Sequence, residues 1–212
     1  MRDGAPSAAP VGFEAAPGAA RREGLAAPTQ VAYACRVMPA PHLSSDEEVL
    51  VTLGSQLLDF DYLLPEIRFK GNAYGVYCLF DPYARRLALL SYRDPDPART
   101  LRTFDGAADF ARSAQWSEAD LHRIIVSTAK GEFPALRPAE VTGLALQRHL
   151  TGFTPERQAA RYERLLSATP GAVRKALLAC FEASRGRAAD CVVGSRESLE
   201  SIGSINIRDI RK

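Results

Sequence analysis

The sequence predicts an α+β domain in which helices pack on one face of a mostly antiparallel sheet. Three observations lead there. Residues 72–93 hold two alternating apolar stretches around a short polar loop, which is the pattern of a hairpin. Residues 96–185 carry repeated helix-start signals. Further alternating stretches, at 30–37 and 190–194, lie on either side of that helical block. The order strand, helix, hairpin, helices, strand is not βαβαβ, and neither G-x-G-x-x-G nor a P-loop is present, so a doubly wound nucleotide fold is not expected.

Taken in order, residues 1–27 are rich in Ala, Pro and Gly without periodicity and read as a linker or tail, with one domain over 28–212. The tail has no apolar core of a secretory signal. Its acids Asp3, Glu14 and Glu23, among Arg2, Arg21 and Arg22, argue against a transit peptide. The expected location is therefore cytoplasmic, with an organelle matrix as the eukaryotic alternative. The stretch QVAYACRV (30–37) alternates as a strand. Ser45 and Glu48 have the spacing of a capping box, followed by Val49, Leu50, Leu53, Leu57, Leu58 and Tyr62 on one helical face. Pro65 is expected to bend or restart this helix before Arg68. After the hairpin, Asp96-Pro97, Thr154-Pro155 and Thr169-Pro170 each place a capping residue before a proline at the first helical position. Ser117 with Asp120 gives a weaker start. The expected buried faces include Leu101, Phe104 and Ala108, then Leu121, Ile124 and Ile125, then Val141, Leu144 and Ala145, then Val173, Leu177 and Phe181. Residues 190–194 return to strand, a short helix follows at 195–201, and 205–210 alternates as a last edge strand.

Composition narrows the function. The chain has 212 residues, 46% of them apolar, and 27 Lys and Arg against 25 Asp and Glu, a formal net charge of +2. That balance leaves no electrostatic footprint for nucleic acid or an anionic membrane, and no apolar run approaches the ~18 residues of a membrane span. Cys35, Cys78, Cys180 and Cys191 form no C-x-x-C pair and read as small buried hydrophobes. His42, His122 and His149 belong to no H-E-x-x-H or H-x-x-E-H motif, and G-x-S-x-G is absent. The chain's own residues thus make no complete catalytic site and no metal site.

One segment carries chemistry. In Arg68-Phe69-Lys70-Gly71-Asn72-Ala73-Tyr74-Gly75 a cation ends a helix, a glycine turn follows, and a tyrosine opens a strand. A guanidinium and a phenol aimed at one place are donors suited to a peptide carbonyl or an oxyanion. The same residues also read as a surface arginine and a half-buried strand tyrosine.

That segment, with Ser91-Tyr92-Arg93-Asp94-Pro95 and Phe104-Asp105-Gly106-Ala107-Ala108-Asp109-Phe110 after it, resembles the C-terminal half of presequence-protease-type metallopeptidases of the insulinase/pitrilysin superfamily. The segments LAAPTQV (25–31), RHLTG (148–152) and VVGS (192–195) fit in the same order, so the resemblance covers residues 24–200. It implies four homologous α+β domains hinged in two halves around a closed chamber. It places zinc on an inverted H-x-x-E-H motif in the first domain, which this chain lacks. The implied part played here is that of the last domain of an oligopeptide-degrading zinc endopeptidase, partnered by a zinc-bearing N-terminal half and acting on unstructured peptides. The family's substrate-positioning pair is an Arg and a Tyr six residues on, which Arg68 and Tyr74 match. The resemblance makes Tyr74 the catalytic oxyanion donor and Arg68, with Tyr74, the substrate-binding pair. Asn72 departs from the second glycine common in relatives, at a turn position where Asn tolerates left-handed backbone. The alternative is a non-catalytic scaffold or peptide-binding subunit of the same fold.

Overall fold

The computed structural model describes residues 21–132 and 135–210. Its strands are β1 (Arg21–Ala26), β2 (Tyr33–Pro39), β3 (Gly75–Asp81), β4 (Arg86–Tyr92), β5 (Ala189–Gly194) and β6 (Asn206–Asp209). Its α-helices are α1 (Glu48–Leu58), α2 (Pro97–Ser113), α3 (Glu118–Glu132), α4 (Pro138–Thr151), α5 (Pro155–Leu166), α6 (Pro170–Ala183) and α7 (Arg196–Glu200). The strands form one sheet in the order β3-β4-β2-β5-β1-β6. The pairs β3–β4, β4–β2 and β2–β5 are antiparallel, and β5–β1 and β1–β6 are parallel. The expected α+β class and the single sheet joining the first strand, the hairpin and the 190–194 strand are therefore found.

Alternation decides which face of the sheet is covered. Ala34, Met38, Val76, Cys78, Leu87, Leu89 and Val192 are buried and meet Leu53, Leu57, Leu101, Phe104, Val173 and Leu177 in one core. The residues between them, Tyr33, Tyr77, Leu79, Tyr92 and Cys191, are exposed, so no described helix covers the opposite face. The helix starts follow the local chemistry. Asp96, Thr154 and Thr169 each accept a hydrogen bond from the backbone N–H three residues on, with Pro at the first helical position.

Several expectations change. The linker expected through residue 27 is corrected at its end: residues 21–26 are β1, seated between β5 and β6. Its sequence, RREGLA, shows no alternation because the strand is stabilised by pairing on both edges and by charge. Arg22 bridges Asp190 at 3.0 Å and Asp105 at 3.4 Å. Gly24 lets α7 approach, since a Cβ there would lie 3.2 Å from a Leu199 methyl. The remainder of the linker expectation lies outside the described residues. The capping box is also corrected. Ser45 makes no side-chain cap, and Glu48 turns inward, 1% exposed, to bond Arg161 at 2.9 and 3.1 Å. Arg161 also pairs with Glu132, which joins α1, α3 and α5. Pro65 does not restart the helix, because it lies inside one continuous segment. α1 runs on as a π-helical segment, Asp59–Phe69, whose wider i to i+5 pattern carries Lys70 N–H to the Pro65 carbonyl at 3.0 Å. The face expected from Val141, Leu144 and Ala145 is not buried, and α4 has no buried residue: it is amphipathic in sequence, but no described element covers it. Of the cysteines, Cys78 and Cys180 are buried, Cys35 is half-buried and Cys191 is exposed, in register with Cys35 across β2 and β5.

Asp59 opens the π-helical segment beside the edge strand β3. Burial pushes its carboxyl up from an ordinary 3.8 to about 6, against a hydrogen bond from the Cys78 backbone, and its Oδ1 has no hydrogen-bond partner among the described residues. A folded-state value above the unfolded one means this group favours folding below pH 3.8, and that contribution is lost as pH rises through about 6. Asp59→Asn keeps the acceptor without the charge. It is expected to stabilise the domain by about 1 kcal/mol at pH 7, discounted for the residue's partial exposure, and to leave stability at pH 3.5 unchanged. Denaturant titrations at the two pH values check this; equal effects at both would show that the charge is not the cause.

Candidate substrate-contact site

The site lies where the π-helical segment hands over to β3. Arg68 occupies the last turn of that segment and is exposed. The chain then reverses tightly: Asn72 N–H bonds the Arg68 carbonyl at 3.0 Å and Ala73 N–H bonds the Ile67 carbonyl at 3.1 Å. Two residues make this turn possible. A Cβ on Gly71 would sit 2.5 Å from the Ile67 carbonyl oxygen, and Asn72 has φ 62°. Asn holds that conformation more readily than most side chains, so the departure from glycine preserves the turn. Arg99 of α2 clamps it from outside, donating to the Lys70 carbonyl at 2.8 Å, while Lys70 pairs with Glu66. Ala73 is buried, which pins the turn to the core and leaves Tyr74, the next residue, 65% exposed.

The two residues singled out from the sequence come together. The Arg68 guanidinium carbon is 6.0 Å from the centre of the Tyr74 ring, at the outer limit of a cation–π contact. Tyr74 packs edge-on to Tyr92 at 5.9 Å, and Tyr92 packs edge-on to Tyr33 at 5.4 Å. The phenol thus stands at one end of a row of aromatic rings on the uncovered sheet face. The Tyr74 hydroxyl has no hydrogen-bond partner among the described residues and is free to donate outward. The arrangement offers a guanidinium fork and a phenol O–H on an open surface. Its complement is a ligand presenting carbonyl oxygens or a developing oxyanion.

Sequence reasoning missed Arg93, whose guanidinium carbon lies 5.9 Å from the same ring centre and whose carbonyl accepts the Tyr74 N–H at 3.4 Å. No spacing rule marks it, because its position depends on how β4 pairs with β2. The histidines play no part. His42, His122 and His149 are exposed and scattered, and no group of three or more His, Cys, Asp or Glu among the described residues could hold a metal ion. These residues do not fit a zinc site. A groove of about 520 Å³ is lined by Pro39, Glu47, Arg85, Cys180 and Arg187 and does not include the site.

Gly71→Ala is expected to cost about 1–3 kcal/mol, because the clash is with backbone that cannot rotate away, and to disturb Tyr74 with it. Asn72→Gly, which keeps the left-handed turn, is expected to stay within about 0.5 kcal/mol of the parent. Chemical denaturation of the two variants side by side checks both; an undisturbed Gly71→Ala would show that the turn can relax.

Comparison with known proteins shows the family and the fold. The family described as PreP C-terminal domain matches residues 22–176. The chain is 31% identical over 171 residues to a mitochondrial presequence protease of Emericella nidulans, covering 80% of this chain and 16% of that protein. It is 30% identical over 148 residues to the chloroplastic/mitochondrial presequence protease 1 of Arabidopsis thaliana, covering 69% of this chain and 14% of that one. The chain therefore spans about a sixth of the length of these relatives. Among solved structures, the peptidase M16 inactive domain from Pseudomonas fluorescens superposes with TM-score 0.68 at 16% identity, over 91% of this chain and 45% of that one. The inactive peptidase domain of a putative zinc protease from Bordetella parapertussis gives TM-score 0.64 at 17% identity, over 79% and 92%. These two show the fold.

Proposed function

Because the chain belongs to the presequence protease C-terminal domain family, we propose that it serves as the zinc-lacking C-terminal domain of a presequence-protease-like endopeptidase that degrades unstructured oligopeptides, supplying Arg68 and Tyr74 to the substrate. The observation that carries this reading is the convergence of the Arg68 guanidinium and the Tyr74 phenol, both exposed, on the uncovered face of the sheet. Arg68 holds a main-chain carbonyl of the bound peptide. Tyr74 donates its hydroxyl proton in a hydrogen bond to the oxygen that gains charge as the scissile carbonyl is attacked. The metal and the base that activate water belong to the N-terminal half, as partner chain or same polypeptide, a reading supported by the lack of any group of three or more His, Cys, Asp or Glu arranged to hold a metal ion among the described residues. The mitochondrial and chloroplastic/mitochondrial relatives make an organelle matrix the compartment to test first, in place of the cytoplasm. No described helix is long and apolar enough to cross a membrane.

The test is reconstitution. The chain is combined with a zinc-bearing N-terminal half of a presequence protease, and cleavage of a fluorogenic oligopeptide is followed. The proposal expects zinc-dependent cleavage that neither part shows alone, and a KM raised about tenfold by Arg68→Ala, the loss of a charge-assisted hydrogen bond in the ground state. A second reading, a non-catalytic peptide-binding subunit or scaffold, is favoured by the match to domains described as inactive. It expects peptide binding, or neither effect, without any gain in cleavage.

A further inference from the structure

The β2–β4 ladder slips by one residue beside the site. Cys35 of β2 faces Leu90 of β4, yet just beyond the two strands Ala32, three residues earlier, faces Asp94, four residues later, in an isolated bridge. Both ends are pinned. Ala32 and Asp94 exchange backbone hydrogen bonds of 2.7 and 2.8 Å, and Ala34 N–H turns to the Ser91 hydroxyl at 3.2 Å. Ser91, Tyr92 and Arg93 therefore stand opposite only Ala34 and Tyr33, a β-bulge, and within it Arg93 has φ 51°. Bulges of this kind place a glycine in the left-handed position because an L side chain is strained there. An arginine kept in that place calls for a use of the side chain, since strained backbone gathers at functional sites. The use is visible. The bulge turns the exposed guanidinium toward the Tyr74 ring, 5.9 Å from its centre, and neither Arg93 nor Arg68 forms an ion pair among the described residues.

Resting on the peptidase reading above, we propose that Arg93 is a third substrate-contacting residue of the site, and that the β4 bulge exists to aim its guanidinium at a main-chain carbonyl of the bound peptide. Arg68, Arg93 and Tyr74 then form a set of donors with no side-chain acceptor among them except the phenol oxygen. Their complement is the row of acceptors along an extended peptide rather than any particular side chain.

The experiment uses the full 212-residue chain and a ten-residue peptide with acetylated and amidated ends and no acidic residue, so that only neutral acceptors can meet the arginines. Binding is measured by titration, and melting temperature on the same samples. Arg93→Gly deletes the guanidinium and accepts the left-handed backbone. It is expected to weaken binding about tenfold with a melting temperature within about 3 °C of the parent. Arg93→Lys keeps the charge without the fork and is expected to weaken binding about threefold. If Arg68→Ala weakens binding but Arg93→Gly does not, or if Arg93 matters only when the peptide carries a carboxylate, the inference is overturned and the reading it rests on stands. If the parent chain binds no peptide, both fall.

Discussion

Replacing Tyr74 with Phe is expected to lower turnover in the reconstituted enzyme by about 10²–10³-fold while leaving the fold intact. The ring keeps its contact with Tyr92, and the hydroxyl that is lost bonds nothing among the described residues. The residue is largely exposed, so no buried group is stranded. An oxyanion donor acts as charge develops, so kcat should carry the loss and KM should change little, the reverse of Arg68→Ala. Steady-state kinetics on the two variants separate the roles. Turnover within about twofold of the parent for Tyr74→Phe would remove the oxyanion role and move the scaffold reading ahead.

The largest stability effect is expected at Asp190. Its carboxylate lies under the sheet, 5% exposed, and receives Arg36 through two parallel bonds of 2.7 and 2.9 Å and Arg22 at 3.0 Å. Arg36 also reaches Asp105 of α2 at 2.7 Å, so one cluster ties β1, β2, β5 and a helix together. Asp190→Ala leaves the Arg36 guanidinium, 9% exposed, in the same place with half its compensation gone. Removing one partner of a buried pair typically costs about 3–5 kcal/mol, and a destabilisation in that range is expected by urea unfolding. Removing both charges with Arg36→Met and Asp190→Leu should recover a large part of it, since the cost lies in the stranded charge. A double variant as unstable as the single would place the cost in packing instead.

What could be read from the sequence follows the range of the interactions. The hairpin and the three proline-started helices rest on neighbours within a few residues, and all appear at the expected places. Arg68 and Tyr74 stand on one short turn, so spacing and resemblance together could single them out. Glu48 was misread because a glutamate three residues after a serine has a local use as well as a distant one, and only the approach of Arg161 from α5 decides between them. β1 was invisible because its partners come from the other end of the chain. Arg93 was missed for a related reason: the bulge is a difference in count between two strands, and neither strand alone contains it. The apolar side of α4 was read correctly as a face, but the sequence does not say whether anything covers it.

The placement of β1 has a consequence for how the chain acquires its structure. β1, the earliest of the described strands, pairs with β5 and β6 and with no other described strand, Glu23 lying between Cys191 and Asn206. It must wait until nearly the whole domain has been made. The hairpin and its covering helices can collapse first, around α1 and α6, while the early strand stays unpaired and exposed to other chains. Closing so long a loop before any contact rewards it slows the last step. Seating β1 should therefore be the late event in refolding, detectable as amide protection in residues 21–26 that lags behind that of the hairpin. A version of the chain that begins at residue 28 would leave β5 and β6 without the strand that joins them.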